Sequence, residues 1–464
     1  MIKNLCIKSL PAALLMATAS LSAQEAKYVF YFIGDGMGQN QVYATNLYLK
    51  QQDKKALLFP TFPVRGVSST YSTSNDITDS AAAGTALATG RKTSNGTLGM
   101  DSNRKISLES VAVEAKEKGC AVGIITSVSL DHATPAAFYA HQPSRSMAYE
   151  IASEIPASEF DFFAGSGFAK PTDKSPSVYE KVTAAGYDIV RGVEDYEELE
   201  DKTGKIILIQ EEGENPKSLN NVIDQEEGDL NLPYMTEVAI ENLSQASDKG
   251  FFMMVEGGMI DWAGHGNDAS TMIEEVIDLD DAIKKAYDFY LAKPDSTLIV
   301  ITADHETGGF GLGARGYELN VDLLAEQKQS QSELSEDIIE LREEAKEEGR
   351  KVSWSAIKSL LQKEMGFWKE VKISNEQEER LKAMYNKMIS GKDYKSHKSL
   401  YSSSDPLAKL AIEILGECAN VGWTTGSHTA AEVPVYAIGV GSEKFSGSMD
   451  NTDIPRRISQ VAGY

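Results

Sequence analysis

The sequence predicts an α/β fold of three layers, α/β/α, around a large and mainly parallel central sheet. Two observations carry this expectation. Short apolar runs rich in β-branched residues alternate with helical stretches, and the runs are apolar on both faces, as strands covered by crossover helices must be. Acidic residues and histidines then collect at the ends of these runs, where open α/β sheets hold their ligands. No repeat of about 20 to 50 residues is visible, which excludes a solenoid.

Taken in order, the chain opens on MIKNLCIKSLPAALLMATASLSAQ, with early lysines, an apolar stretch from about Leu10 to Leu21 and small residues before Gln24. That pattern predicts a secretory signal peptide over residues 1–23 and an exported, periplasmic or secreted product. The stretch is too short for a stable membrane anchor, which needs about 20 apolar residues. Predicted buried strands follow at Tyr28 to Ile33, Ala121 to Val128, Lys205 to Gln210, Phe251 to Val255, Thr297 to Thr302 and Val433 to Val440. The first leads into Asp35, the fourth into Glu256, Asp261 and His265, and the fifth into Asp304 and His305, while His428 stands just before the last.

Residues 323–388 differ in kind. They are dense in Glu, Lys, Gln and Arg, with leucines and isoleucines at helical spacing, and read as a charged amphipathic helical insertion in a catalytic domain spanning 24–464. The plain expectation is a solvated excursion without a catalytic residue, and a cap or a dimer contact is the other use of such a segment. With 464 residues, a formal net charge of −24 and a pI near 4.8, the chain would repel nucleic acid and anionic membrane surfaces. Cys120 and Cys418 remain after removal of Cys6; an exported protein could join them, and their positions in the sequence alone do not predict the bond.

Carboxylate and imidazole at strand ends are ligands suited to borderline divalent cations, so Asp35, Glu256, Asp261, His265, Asp304, His305 and His428 predict a multi-metal site. Asp79 and Ser80 open a short helix of small residues, DSAAAGTA, where a hydroxyl would face unpaired backbone N–H groups. Ser80 there is either a nucleophile or a plain helix cap. No histidine or lysine adjoins it in sequence, and a metal touching its oxygen would supply the missing activation. Arg145, within HQPSRS, has the fork geometry for two phosphoryl oxygens and points to a phosphate monoester as substrate.

With these residues aligned, the chain closely resembles the alkaline phosphatase family. The matching motifs are IGDGMG around Asp35, TDSAAAGTA around Ser80, HATPAA with Arg145 beyond it, EGGMIDWAGH from Glu256 to His265, TADHETGG around Asp304 and His305, and WTTGSHTA around His428. The resemblance implies hydrolysis of monoesters to alcohol and inorganic phosphate through a phosphoserine on Ser80, with an alkaline optimum. It implies two zinc ions, one held by Asp261, His265 and His428 and the other by Asp35, Asp304, His305 and Ser80. It further implies one magnesium held by Asp35, Thr134 and Glu256, with Arg145 on the phosphoryl oxygens, Asp79 positioning that arginine, and a homodimer.

His132 and Trp262 stand where some bacterial relatives carry aspartate and lysine. They are expected either beside the third metal, weakening its preference for magnesium, or as hydrogen-bond partners one layer further out. His141 and His397 lie outside the motifs and read as structural or surface residues. The competing readings are a phosphodiesterase, sulfatase or phosphonate hydrolase on a similar metal core, and an exported zinc or phosphate binder without turnover. Ser80 after Asp79, with Arg145 and the Thr134 and Glu256 pair, favours the monoesterase.

Overall fold

Alternation along single strands sets the architecture. In Tyr28–Gly34 (β1), Val29, Tyr31 and Ile33 join one apolar cluster while Phe30 and Phe32 join another on the opposite face. Phe251–Gly257 and Thr297–Thr302 divide in the same way, with Met254 and Val300 on one side and Met253 and Ile301 on the other. A sheet covered on both faces needs two helical layers. Helices Leu232–Ala246 and Ala269–Ala292 contribute to one cluster, and helices Val111–Glu117 and Asp453–Ala462 to the other. Each fully buried side chain of this size stabilises the fold by about 1.5–3 kcal/mol.

The computed structural model describes residues 25–398, 401 and 403–464, so the signal peptide expected at residues 1–23 lies outside the described residues. The other strands of the main sheet are Val64–Ser69 (β2), Ala121–Thr126 (β3), Phe162–Gly165 (β4), Tyr187–Arg191 (β5), Lys205–Ile209 (β6), Phe251–Gly257 (β7), Thr297–Thr302 (β8), Val433–Gly439 (β9) and Gly447–Asp450 (β10). Their spatial order is β10-β2-β9-β8-β1-β7-β3-β4-β6-β5. β1 pairs in parallel with both β7 and β8, in register from Tyr28 opposite Phe251 and Thr297. No helix among the described residues is long and apolar enough to cross a membrane.

One expectation about direction fails. β9 reads as another buried parallel strand, yet it runs antiparallel to β8 and β2. A run apolar on both faces carries no sign of its direction. The direction follows from where the chain enters: the loop bearing His428 lies at the end of the sheet where β8 finishes, so β9 must start there and run back. That reversal is what puts His428 beside residues that follow the parallel strands.

Helices Gln331–Glu347, Trp354–Met365 and Asn375–Ser390 occupy the charged stretch, each begun by a serine, Ser330, Ser353 or Ser374, whose hydroxyl accepts from backbone N–H groups of the first turn. Leu334, Ile338, Leu361 and Leu381 on these helices are fully buried in the same apolar cluster as Phe30 and Ile301. The segment is therefore packed onto the main core rather than held out in solvent. Its return path carries Tyr401 against the site described next. Cys120 is buried, Cys418 half-buried, and both are free thiols.

Candidate metal centre and nucleophile

The strand ends deliver acidic and imidazole groups to one crevice. Asp35, just past β1, donates its backbone N–H to Gly257 O at 3.2 Å, and the next residue, Gly36, donates its own to Asp304 Oδ1 at the same distance. Gly36 has φ +74°, and a Cβ there would meet Asp261 Cα at 2.9 Å and Thr307 Oγ1 at 2.9 Å, so only glycine lets these segments close. Asp304 and His305 follow β8, and Glu256 is the penultimate residue of β7, where its Oε2 accepts from the Thr126 hydroxyl.

Helix Met259–Gly266 puts Asp261 and His265 on one face, one turn apart, with Nε2 3.4 Å from Oδ1. His428 completes that group, its Nε2 3.6 Å from Asp261 Oδ1 and 3.1 Å from His265 Nε2. Outward-facing nitrogens are fixed by backbone carbonyls: His265 Nδ1 lies 2.7 Å from Gly426 O and His428 Nδ1 lies 2.9 Å from Thr78 O. This arrangement turns both Nε2 atoms toward the crevice, as metal-binding imidazoles require.

Three sets of possible ligand atoms lie within 4.8 Å of one another: Asp261, His305 and His428; Asp35, Asp304 and His305; and Asp35, His132 and Glu256. His265 adjoins the first through its contacts with Asp261 and His428, and Thr134 adjoins the third through its hydroxyl, 3.3 Å from Asp35 Oδ2. Among the described residues, Asp35 Oδ1, Glu256 Oε1, Asp261 Oδ2 and Asp304 Oδ2 are buried and accept no hydrogen bond. Burial, then the charges of Asp304, Asp261 and Glu256, pushes Asp35 well above the usual carboxylate range, and burial with Asp261 pushes Asp304 up to about 8. Buried like charges with unused lone pairs are unfavourable unless cations sit among them. The donor set therefore fits divalent metals.

Beside these groups, Asp79 is the N-cap of helix Ser80–Thr89 and accepts from Ala82 N and Gly96 N, each at 3.0 Å. The cap is thus Asp79, which leaves Ser80 at the first helical position, fully buried, with Oγ 3.2 Å from His305 Nε2. Asp79 Oδ2 also receives Arg145 Nη1 at 3.3 Å, while Arg145 Nη2 lies 3.2 Å from His132 Nε2 and donates to the Tyr401 hydroxyl at 3.1 Å. His132 Nδ1 stands 3.7 Å from Glu256 Oε1. The Trp262 ring stacks on Tyr401 with centroids 4.6 Å apart and planes within 6°.

All of the residues expected at the site from sequence converge here. His141 instead bonds Glu154 and Leu108 O, and His397 lies beside Lys409, both away from the crevice. Sequence reasoning missed Tyr401, which sits in a serine-rich stretch without any distinguishing pattern. It also missed Thr307, whose hydroxyl donates to Asp261 Oδ1 and lies 3.3 Å from His305 Nδ1. Thr307 had a signal, since it stands inside the TADHETGG motif.

A family model described as "Alkaline phosphatase" matches residues 26–164 and 179–464. The chain belongs to the alkaline phosphatase family. Alkaline phosphatase 3 of Bacillus subtilis is 33% identical over 475 residues, covering 99% of this chain and 94% of the relative. A cold-active alkaline phosphatase from Shewanella sp. superposes with a TM-score of 0.78 at 28% identity over 94% of this chain and 99% of that one. The alkaline phosphatase of Thermus thermophilus has the same TM-score at 25% identity, over 98% of this chain and 96% of that one. As a member of the alkaline phosphatase family, the chain is a metal-dependent phosphomonoester hydrolase.

Proposed function

We propose that turnover proceeds through a covalent phosphoserine on Ser80, in a site completed by two zinc ions and one magnesium. The observation that carries this reading is the position of Ser80 Oγ, buried at the start of its helix, 3.2 Å from His305 Nε2 and capped by the same Asp79 that holds Arg145. Asp261, His265 and His428 would hold one zinc, Asp35, Asp304, His305 and Ser80 the other, and Asp35, Thr134 and Glu256 the magnesium. Bound there, the metals would supply Lewis acidity that favours the ionised oxygens of serine, leaving alcohol and water.

The chain's own groups account for the rest. Arg145 grips the non-bridging phosphoryl oxygens, and Asp79 keeps its guanidinium turned toward them. Ser80 Oγ forms a bond to phosphorus as the ester oxygen leaves, and the serine proton ends on the departing alcohol. Water then attacks phosphorus from the side the alcohol left, the Ser80 Oγ bond breaks, and the serine proton is restored. Two inversions give net retention at phosphorus, and an added alcohol such as Tris competes with water in the second step. A grip confined to the phosphoryl group predicts a broad range of monoesters.

The decisive assay compares p-nitrophenyl phosphate with its bis-ester from neutral to alkaline pH, before and after EDTA, with Zn²⁺ and Mg²⁺ restored separately. Monoester turnover favoured at alkaline pH, lost to EDTA and recovered with zinc supports the reading, whereas preference for the diester overturns it. We further assign residues 1–23 to a signal peptide that exports the chain to the periplasm or beyond, and the mature form to a homodimer. N-terminal sequencing and sedimentation of the exported protein test both assignments.

His132 bears on the third metal. Its imidazole, 3.7 Å from Glu256 Oε1, brings no negative charge where aspartate would, so magnesium is held weakly and zinc competes for the position. A variant of the TAB5 alkaline phosphatase with aspartate in place of a histidine has been crystallised with Mg bound. Dialysis against limiting Mg²⁺ is expected to leave more magnesium in His132→Asp than in the parent. Equal retention by the two proteins would refute the charge argument.

A further inference from the structure

We propose that Tyr401, delivered by the return path of the helical insertion, is a positioning residue for the phosphate clamp. The inference rests on Arg145 being that clamp. Three groups set the Arg145 guanidinium: Asp79 on Nη1 at 3.3 Å, His132 on Nη2 at 3.2 Å and the Tyr401 hydroxyl on Nη2 at 3.1 Å. Asp79 caps the nucleophile's own helix and His132 lies on the loop after β3, so both belong to the main sheet's crevice. Tyr401 reaches the arginine from the segment between the charged helices and Pro406–Ala419, a different part of the chain.

Its ring is fixed independently of that hydrogen bond. It lies flat on Trp262 at 4.6 Å and meets the edges of His265 and His132 with centroids 5.4 and 5.7 Å away. Trp262 shares a helix with Asp261 and His265. The stack therefore ties the position of the phenolic oxygen to the rigid element bearing two candidate ligands, and the oxygen in turn fixes the plane of the arginine. A planar fork binds two phosphoryl oxygens well only when its plane is set beforehand, because a freely turning guanidinium must lose that freedom on binding. Tyr401 thereby couples the insertion to phosphate affinity without touching phosphorus.

The test is a double-mutant cycle on the metal-loaded protein, reading competitive inhibition by inorganic phosphate together with KM and kcat for p-nitrophenyl phosphate. Tyr401→Phe keeps the ring on Trp262 and removes only the hydroxyl. It is expected to raise the phosphate inhibition constant and KM together by about 5-fold, with a smaller change in kcat and an unchanged unfolding midpoint. In an Arg145→Ala background the same substitution is expected to change phosphate inhibition by less than about 1.5-fold. An unaltered inhibition constant in Tyr401→Phe, or a full loss persisting without Arg145, overturns the positioning role while leaving the clamp intact. If Arg145→Ala itself does not weaken phosphate, the clamp reading falls and the proposal with it.

Discussion

Ser80→Ala is expected to cut monoester turnover by at least about 10³-fold while leaving inorganic phosphate able to bind. Ser80 Oγ lies 3.2 Å from His305 Nε2, and the serine is the first residue of a helix capped by Asp79. Alanine removes one oxygen from a fully buried site but leaves Asp79 as the helix cap and as the partner of Arg145. The fold and the clamp therefore persist. Rapid kinetics with p-nitrophenyl phosphate and equilibrium binding of phosphate separate the two properties. A variant that retains turnover within about 10-fold would mean another nucleophile, since loss of a covalent catalyst costs far more.

Metal removal is expected to have the second large effect, on stability as well as rate, and its sign depends on pH. Without cations, burial raises Asp35 and takes Asp304 from 3.8 to about 8. Between those two values the folded chain holds protons that the unfolded chain has released. Unfolding is then favoured as pH rises, so the contribution of Asp304 to stability falls from mildly acidic pH to about pH 8 and levels off above it, and Asp35 acts in the same direction. Metals binding the ionised carboxylates in the folded state reverse this loss, by about 4 kcal/mol per site at a thousandfold excess over Kd. Thermal unfolding of EDTA-treated and metal-loaded protein across this range is expected to show a gap that widens with pH. A constant gap would mean that the buried carboxylates are not what the metals neutralise.

The sequence carried most of the site because the ligand residues are tied to local features. Asp35, Asp304 and His305 each follow a run whose apolar period announces a strand, and Asp261 and His265 are spaced to share a helix face. The role of Asp79 as cap was also within reach, since aspartate before a small-residue helix is a common start. Features that depend on long-range packing were not legible. The direction of β9 follows from the loop that feeds it, and the short strands β2, β4, β5 and β10 owe their existence to neighbours rather than to their own pattern. Tyr401 is the clearest case. Its meeting with Arg145 joins positions 256 residues apart, and its stack on Trp262 depends on how the whole insertion packs. The burial of Leu334 and Leu381 had a visible helical period, but the partner surface for that face did not.

The central claim is a phosphoryl group carried on Ser80. Acid quenching of the metal-loaded protein during turnover of a monoester, followed by peptide mass analysis, tests it directly. Phosphate is expected on the peptide containing Ser80, absent from Ser80→Ala and from protein stripped of metal before the substrate is added. Turnover that continues with no phosphate on that peptide, or with phosphate on a different residue, would contradict it.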